Sequence, residues 1–183
     1  MATIKCIFVV EFNSGKTALL RRIVHDKFEP TSPTVGVEFD LIEIPGIQHR
    51  MTAWNLAGAP RFQNIMELYY KDSQVVFIVI DASKETDVGK WVFRSRRLSR
   101  DAKIVLVFTK VDLPMFYSTR EIELMKTHYH VFDACMVSSK EMNRNDILST
   151  IGLVFHTIHP RESCLHDENA DTQWDGILCC VVQ

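Results

Sequence analysis

The chain has 183 residues, with 21 Lys and Arg against 23 Asp and Glu, a net charge of −2, 46% apolar residues and 24% charged ones. These figures fit one globular domain with a short appendage; they argue against a disordered chain and against a nucleic-acid binder that works by bulk positive charge. No window approaches the ~20 consecutive apolar residues of a membrane span, and the start, Met-Ala-Thr-Ile-Lys-Cys, lacks the basic-then-apolar order of a secretory signal.

Thr3–Val10 is an apolar run of strand formers, and Lys16–His25 reads as a helix with Ala18, Leu19, Leu20, Ile23 and Val24 on one face. Glu38–Ile44 and Met51–Leu56 read as a hairpin, because Pro45-Gly46 between them suits a tight turn. Val75–Ile80 and Ile104–Phe108 are continuously apolar, the pattern of strands covered on both faces. Ser118-Thr-Arg-Glu121 has capping-box spacing and opens a helix to about His128. Val131–Val137 reads as a last strand, and Asp146 as the cap of a helix through Ile158, stopped by Pro160. This βαββαβαβα succession predicts an α/β domain with a mostly parallel sheet of about six strands and helices on both faces. The domain is expected over residues 1–159, with a flexible acidic tail over 160–183.

Of five cysteines, Cys6 and Cys135 lie in apolar runs and read as buried thiols, and no pair has metal-finger spacing. An odd, irregular set is a poor disulfide framework, which points to a reducing compartment.

Between the first strand and helix lies Val10-Glu-Phe-Asn-Ser-Gly15-Lys16-Thr17. Against the phosphate-loop pattern G-x-x-x-x-G-K-[ST], the last three positions match and the first does not. In such a loop the backbone N–H groups of Asn13, Ser14 and Gly15 would curl around phosphate oxygens. Lys16 would reach the outer phosphates and Thr17 would offer a hydroxyl to Mg²⁺. Val10 stands where glycine supplies positive φ, at a cost of about 1–2 kcal/mol. The alternative is that Gly-Lys-Thr merely starts a helix.

Later segments follow in order on loops after the strands: Pro33-Thr34-Val-Gly-Val-Glu-Phe39, Trp54-Asn-Leu-Ala-Gly58-Ala-Pro-Arg-Phe62, Tyr69-Tyr70-Lys71, Thr109-Lys110-Val-Asp112 and Ser138-Ser139-Lys140. The sequence resembles the Ras superfamily of small GTPases, most closely its Rab branch, over roughly residues 3–158 and at the terminal Cys-Cys. The resemblance implies a phosphate-loop small-GTPase fold that binds GTP or GDP with Mg²⁺. Thr109, Lys110, Asp112, Ser138, Ser139 and Lys140 would form the guanine site. In it Asp112 accepts the two guanine donors that adenine lacks, and Phe28 leans on the base. Thr34 and Asn55 would join Thr17 at Mg²⁺, and the Gly58 N–H would meet the γ-phosphate. As ordinary alternatives, Asp112 is a turn carboxylate and Thr34 a solvated loop hydroxyl.

The departures fall on catalysis. Ala59 stands where the family has the glutamine that orients the attacking water, so no catalytic residue is assigned. Asn55 replaces an aspartate and is a weaker partner for a hard cation. Phe12 and Asn13 crowd the entry of a partner's arginine. The expectation is a Rab-like switch in vesicle traffic whose hydrolysis is slow or lost. The alternative is a degenerate scaffold that binds partners independently of nucleotide. A phosphate-loop kinase or ATPase is a third class, against which Asp112 and Ser138-Ser139-Lys140 argue.

Phe39, Trp54 and Tyr69 match the aromatic triad that Rabs present to effectors, with ordinary core packing as the alternative. Arg94, Arg96, Arg97 and Arg100 make a basic cluster on a predicted helix, read as a solvated face or a site for acidic partners. Cys179-Cys180-Val-Val-Gln fits both a farnesylated C-a-a-X end and a Rab end geranylgeranylated on both thiols; the Rab-like body favours the second. The tail 160–183 carries Arg161 against five acids, or −4, which leaves +2 for residues 1–159. Attachment, if it occurs, is therefore expected through lipids on Cys179 and Cys180, at the cytoplasmic face of an intracellular membrane with a cytosolic pool; an unmodified tail is the ordinary alternative. Effectors, an exchange factor and a prenylation escort are the expected partners.

Overall fold

The computed structural model describes residues 3–158. Six strands, β1 (Thr3–Val9), β2 (Val37–Glu43), β3 (Arg50–Leu56), β4 (Val75–Asp81), β5 (Lys103–Thr109) and β6 (Asp133–Met136), form one sheet in the order β2-β3-β1-β4-β5-β6. Only β2 runs antiparallel to its neighbour. Its hairpin turns at Ile44–Ile47, where the Ile47 N–H donates to the Ile44 carbonyl at 3.2 Å and Gly46 takes φ +75°. Pro45 then Gly46 is the residue pair a type II turn requires.

The helices are α1 (Lys16–His25), α2 (Gln63–Tyr70), α3 (Val88–Leu98), α4 (Thr119–His128), α5 (Arg144–Ile151) and α6 (Leu153–Ile158). They cover both faces, and β4 shows why its sequence is apolar throughout. Val75, Phe77 and Val79 pack with Leu19, Ile23, Ile147 and Phe155, while Val76, Ile78 and Ile80 pack with Met66, Trp91 and Ile122. Side chains alternate across a strand, so a central strand needs an apolar residue at every position.

Three expectations are corrected. The element succession is one βα unit longer than βαββαβαβα, because α2 and α3 separate β3, β4 and β5. The last strand is Asp133–Met136 rather than 131–137. The last helix is capped by Asn143, whose Oδ1 accepts the Asp146 N–H at 3.0 Å, not by Asp146. Asp146 instead sits in the first turn, where an acid favours the helix dipole. That helix ends at Gly152 and α6 follows it. Cys6 and Cys135 are buried, and burial pushes the Cys135 thiol up to about 12. The tail 160–183, with Cys179 and Cys180, lies outside the described residues. Among the described residues no helix is long and apolar enough to cross a membrane.

Candidate functional site

The loop after β1 crosses the centre of the sheet, where β1 has β3 on one side and β4 on the other. Chain direction diverges there, which opens a crevice at the strand ends. The loop needs three left-handed residues: Val10 at φ +132°, Asn13 at +64° and Gly15 at +91°. The strain foreseen at Val10 is therefore present. The isopropyl group is 2% exposed and packs with Val9, Leu56, Tyr70 and Trp91. Burial of a valine gains about 1.5–3 kcal/mol, enough to offset the cost of about 1–2 kcal/mol for positive φ.

Gly15 is the N-cap of α1, and no side chain caps the helix. Its first-turn N–H groups are thus left for a ligand, with the helix dipole behind them. Lys16 turns back inside the loop. Its ammonium donates to the Glu11 carbonyl at 2.8 Å, the Val10 carbonyl at 3.1 Å and the Ser14 hydroxyl at 3.2 Å. Burial lowers its pKa to about 8, against the opposing charge of Glu11. Phe12, Asn13, Ser14, Gly15, Lys16, Thr17, Thr34 and Gly58 line an open cleft with about 480 Å³ of empty space.

The loops after β5 and β6 are tied to this cleft. Thr109 is buried, and its hydroxyl lies 2.6 Å from the Ser14 carbonyl and 3.0 Å from that of Ile80. Its hydroxyl is bonded to main chain and ties the end of β5 to the phosphate loop. Lys110, at φ +59°, donates to the Asn13 carbonyl at 2.9 Å and to Asp81 at 2.7 Å. Burial opposes the charge on Asp81, yet hydrogen bonds from Lys110 and Ser83 hold its carboxyl below the usual range. The Ser138 hydroxyl donates to Asp112 Oδ1 at 2.7 Å. Ser139 is buried beside Ser138, whereas Lys140 and Phe28 are exposed.

A second cluster joins three elements. The Thr17 and Thr34 hydroxyls are 2.8 Å apart. The Asn55 amide donates toward Thr17 at 3.0 Å, Thr34 at 3.4 Å and the Glu38 carboxylate at 2.7 Å. Among the described residues Asn55 Oδ1 is buried without a hydrogen-bond partner. The two hydroxyls and the Glu38 carboxylate are hard oxygen donors of the kind Mg²⁺ accepts, whereas Asn55 turns its amide nitrogen toward them, so the cluster fits the ion through those three oxygens. Among the described residues no group of three His, Cys, Asp or Glu could hold a metal. Gly58 lies hard against the phosphate loop: a Cβ there would meet Glu11 C and Phe12 N at 2.5 Å. Ala59 follows, half-buried and without a polar side-chain atom.

Phe39, Trp54 and Tyr69 are brought together. Phe39 faces Trp54 across the β2–β3 pair with ring centroids 4.8 Å apart, and Tyr69 lies 5.5 Å from Trp54. The basic cluster is dispersed. Arg94 and Arg97 reach Glu67 on α2 at 3.2 and 3.1 Å, while Arg96 donates to the Tyr129 and His130 carbonyls. Sequence reasoning missed Glu38 and Asp81. Asp81 ends an apolar strand, a placement that could have marked it.

The family model described as Ras of Complex, Roc, domain of DAPkinase matches residues 5–112. The chain is 28% identical to the Ras-related protein Rab-18 of Caenorhabditis elegans, over 77% of this chain and 74% of that one. It is 35% identical to Rab-12 of Mus musculus over 54% of this chain and 43% of that one. To the Ras-related protein SEC4 of Saccharomyces cerevisiae it is 30% identical, over 60% of this chain and 54% of that one.

Proposed function

The chain belongs to the Ras-like GTPases, on their Rab branch, and from that premise we propose that it is a GTP/GDP-binding switch of membrane traffic with slow or lost hydrolysis. The observation that carries the binding half is Lys110. Its ammonium bridges the Asn13 carbonyl of the phosphate loop and Asp81 at the end of β4, which makes the phosphate and base loops one site. In this reading Asn13, Ser14, Gly15, Lys16, Thr17 and Gly58 receive the phosphates. Asp112 reads the guanine, with Ser138 aligning its carboxylate, and Lys110 and Phe28 flank the base beside Ser139 and Lys140. Thr109 serves by anchoring the loop. Thr17, Thr34 and Asn55 hold Mg²⁺, which would neutralise phosphate charge and report the γ-phosphate to the first switch.

The hydrolytic half rests on Ala59, which cannot align a water. Single-turnover GTP hydrolysis by the purified chain tests it. The expected rate is far below that of ordinary Rabs, with a gain for Ala59→Gln. Turnover at ordinary Rab rates overturns it, and no gain in the variant assigns the defect to the other departures.

One observation favours a second reading. Thr17, Thr34, Asn55 and Glu38 join the first switch to α1 and β3 by side-chain hydrogen bonds. Such a closure suits a scaffold that binds partners whatever the nucleotide, and pulldowns with and without nucleotide separate the two readings. Phe39, Trp54 and Tyr69 are the proposed effector surface. We propose a domain over residues 1–159 and a tail that would be lipidated at Cys179 and Cys180. Mass spectrometry of protein from native cells should find two geranylgeranyl groups; one farnesyl or none contradicts the double anchor.

A further inference from the structure

We propose that Glu38 supplies the carboxylate charge that the cation position lacks at Asn55, so that the charge has moved one strand across the hairpin. The inference rests on the nucleotide-switch reading and adds a residue to it. Glu38 on β2 and Asn55 on β3 are directly paired in the antiparallel register, and paired residues put their side chains on the same face of a sheet. Asn55 therefore has a carboxylate as its neighbour for a reason of register: Glu38 Oε2 lies 2.7 Å from Asn55 Nδ2.

That nitrogen marks the centre of the cluster. Three oxygens, from α1, β2 and the loop before β2, surround it: Thr17 Oγ1 at 3.0 Å, Glu38 Oε2 at 2.7 Å and Thr34 Oγ1 at 3.4 Å. An amide nitrogen carries only two hydrogens, so three acceptors around it exceed what it can satisfy. The same residue is 1% exposed, and among the described residues its Oδ1 has no hydrogen-bond partner. The two hydroxyls lie 2.8 Å apart, and with the Glu38 carboxylate they converge as three oxygens that a hydrated cation could draw on. A divalent cation needs charge as well as dipoles, since Mg²⁺ in phosphate sites is usually held through one or two carboxylates. Within this cluster Glu38 is the one ionised group. Its position on an exposed stretch of β2 lets it act on the cation's water shell, as a group oriented from outside the inner ligands.

The test separates charge from hydrogen bonding. Glu38→Gln keeps an oxygen that can accept from Asn55 and removes only the charge. The full chain, loaded with a fluorescent guanosine diphosphate, is titrated with Mg²⁺ while nucleotide release is followed. Glu38→Gln is expected to raise the Mg²⁺ concentration for half-maximal slowing at least tenfold, with release in EDTA unchanged. Asn55→Asp in the Glu38→Gln background is expected to restore the wild-type midpoint. A midpoint within twofold of wild type in Glu38→Gln overturns the assignment. Faster release of the variant in EDTA also overturns it, since that marks a structural role. Electron paramagnetic resonance of Mn²⁺ with the chain alone gives a second readout. If wild type binds no guanine nucleotide, the switch reading falls. The Mn²⁺ arm then decides on Glu38 by itself: weaker Mn²⁺ binding in the variant supports it, and equal binding overturns it.

Discussion

Lys16 meets two opposing demands. Its ammonium is buried among three oxygens of its own loop, yet burial still lowers its pKa to about 8. A bound phosphate would add the counter-charge that the loop carbonyls do not, and would raise that pKa. The sign follows from linkage. Below pH 8 the ammonium is charged in the empty site, so phosphate binds without proton uptake. Above pH 8 the empty site has lost the proton and binding must recover it. Affinity for a guanine nucleotide is therefore expected to fall about fourfold between pH 7 and pH 8.5. Calorimetry in buffers of different ionisation heat should show proton uptake at pH 8; a pH-independent affinity contradicts this. Val10 shows how far one residue can be read from sequence. Its need for positive φ was legible from the spacing to Gly15. That the cost is offset by burial against Leu56, Tyr70 and Trp91 was not, because those contacts exist only after folding.

At the scale of elements, local chemistry was the most legible. The Ser118–Glu121 capping box forms as its spacing predicts, and the apolar runs at 75–80 and 104–108 are central strands. The cap of α5 was misplaced because Asn143 and Asp146 are both good candidates, and only the bond from the Asp146 N–H to Asn143 separates them. Glu38 was illegible for another reason: its importance comes from pairing with Asn55, 17 positions away. The second-switch loop makes a prediction of its own. A methyl group at Gly58 would meet the backbone of Glu11 and Phe12 at 2.5 Å, and backbone cannot give way as a side-chain tip can. Gly58→Ala should cost about 1–3 kcal/mol of stability in denaturant unfolding. It should also remove any preference for triphosphate over diphosphate. Unchanged stability would show that the two loops part easily.

For the whole molecule, the near-zero net charge conceals a division. Residues 1–159 carry +2 and the tail −4. An acidic tail gains nothing from an anionic leaflet, where each Lys or Arg would add about 1 kcal/mol. Since a single acyl chain anchors only marginally, the membrane attachment proposed above would need two lipids. The same economy holds at the site. A valine, an alanine and an asparagine replace the residues that strain, catalysis and charge would ask for, while Thr109, Lys110 and Asp81 still bind the loops into one cleft. Such a chain should retain recognition and lose turnover. The most direct measurement is equilibrium binding of fluorescent guanine and adenine nucleotides to the full chain at millimolar Mg²⁺. Saturable binding of GDP and GTP, weakened by EDTA and not displaced by ATP, is the result expected. No guanine-nucleotide binding, or displacement by ATP as readily as by GTP, would contradict the account.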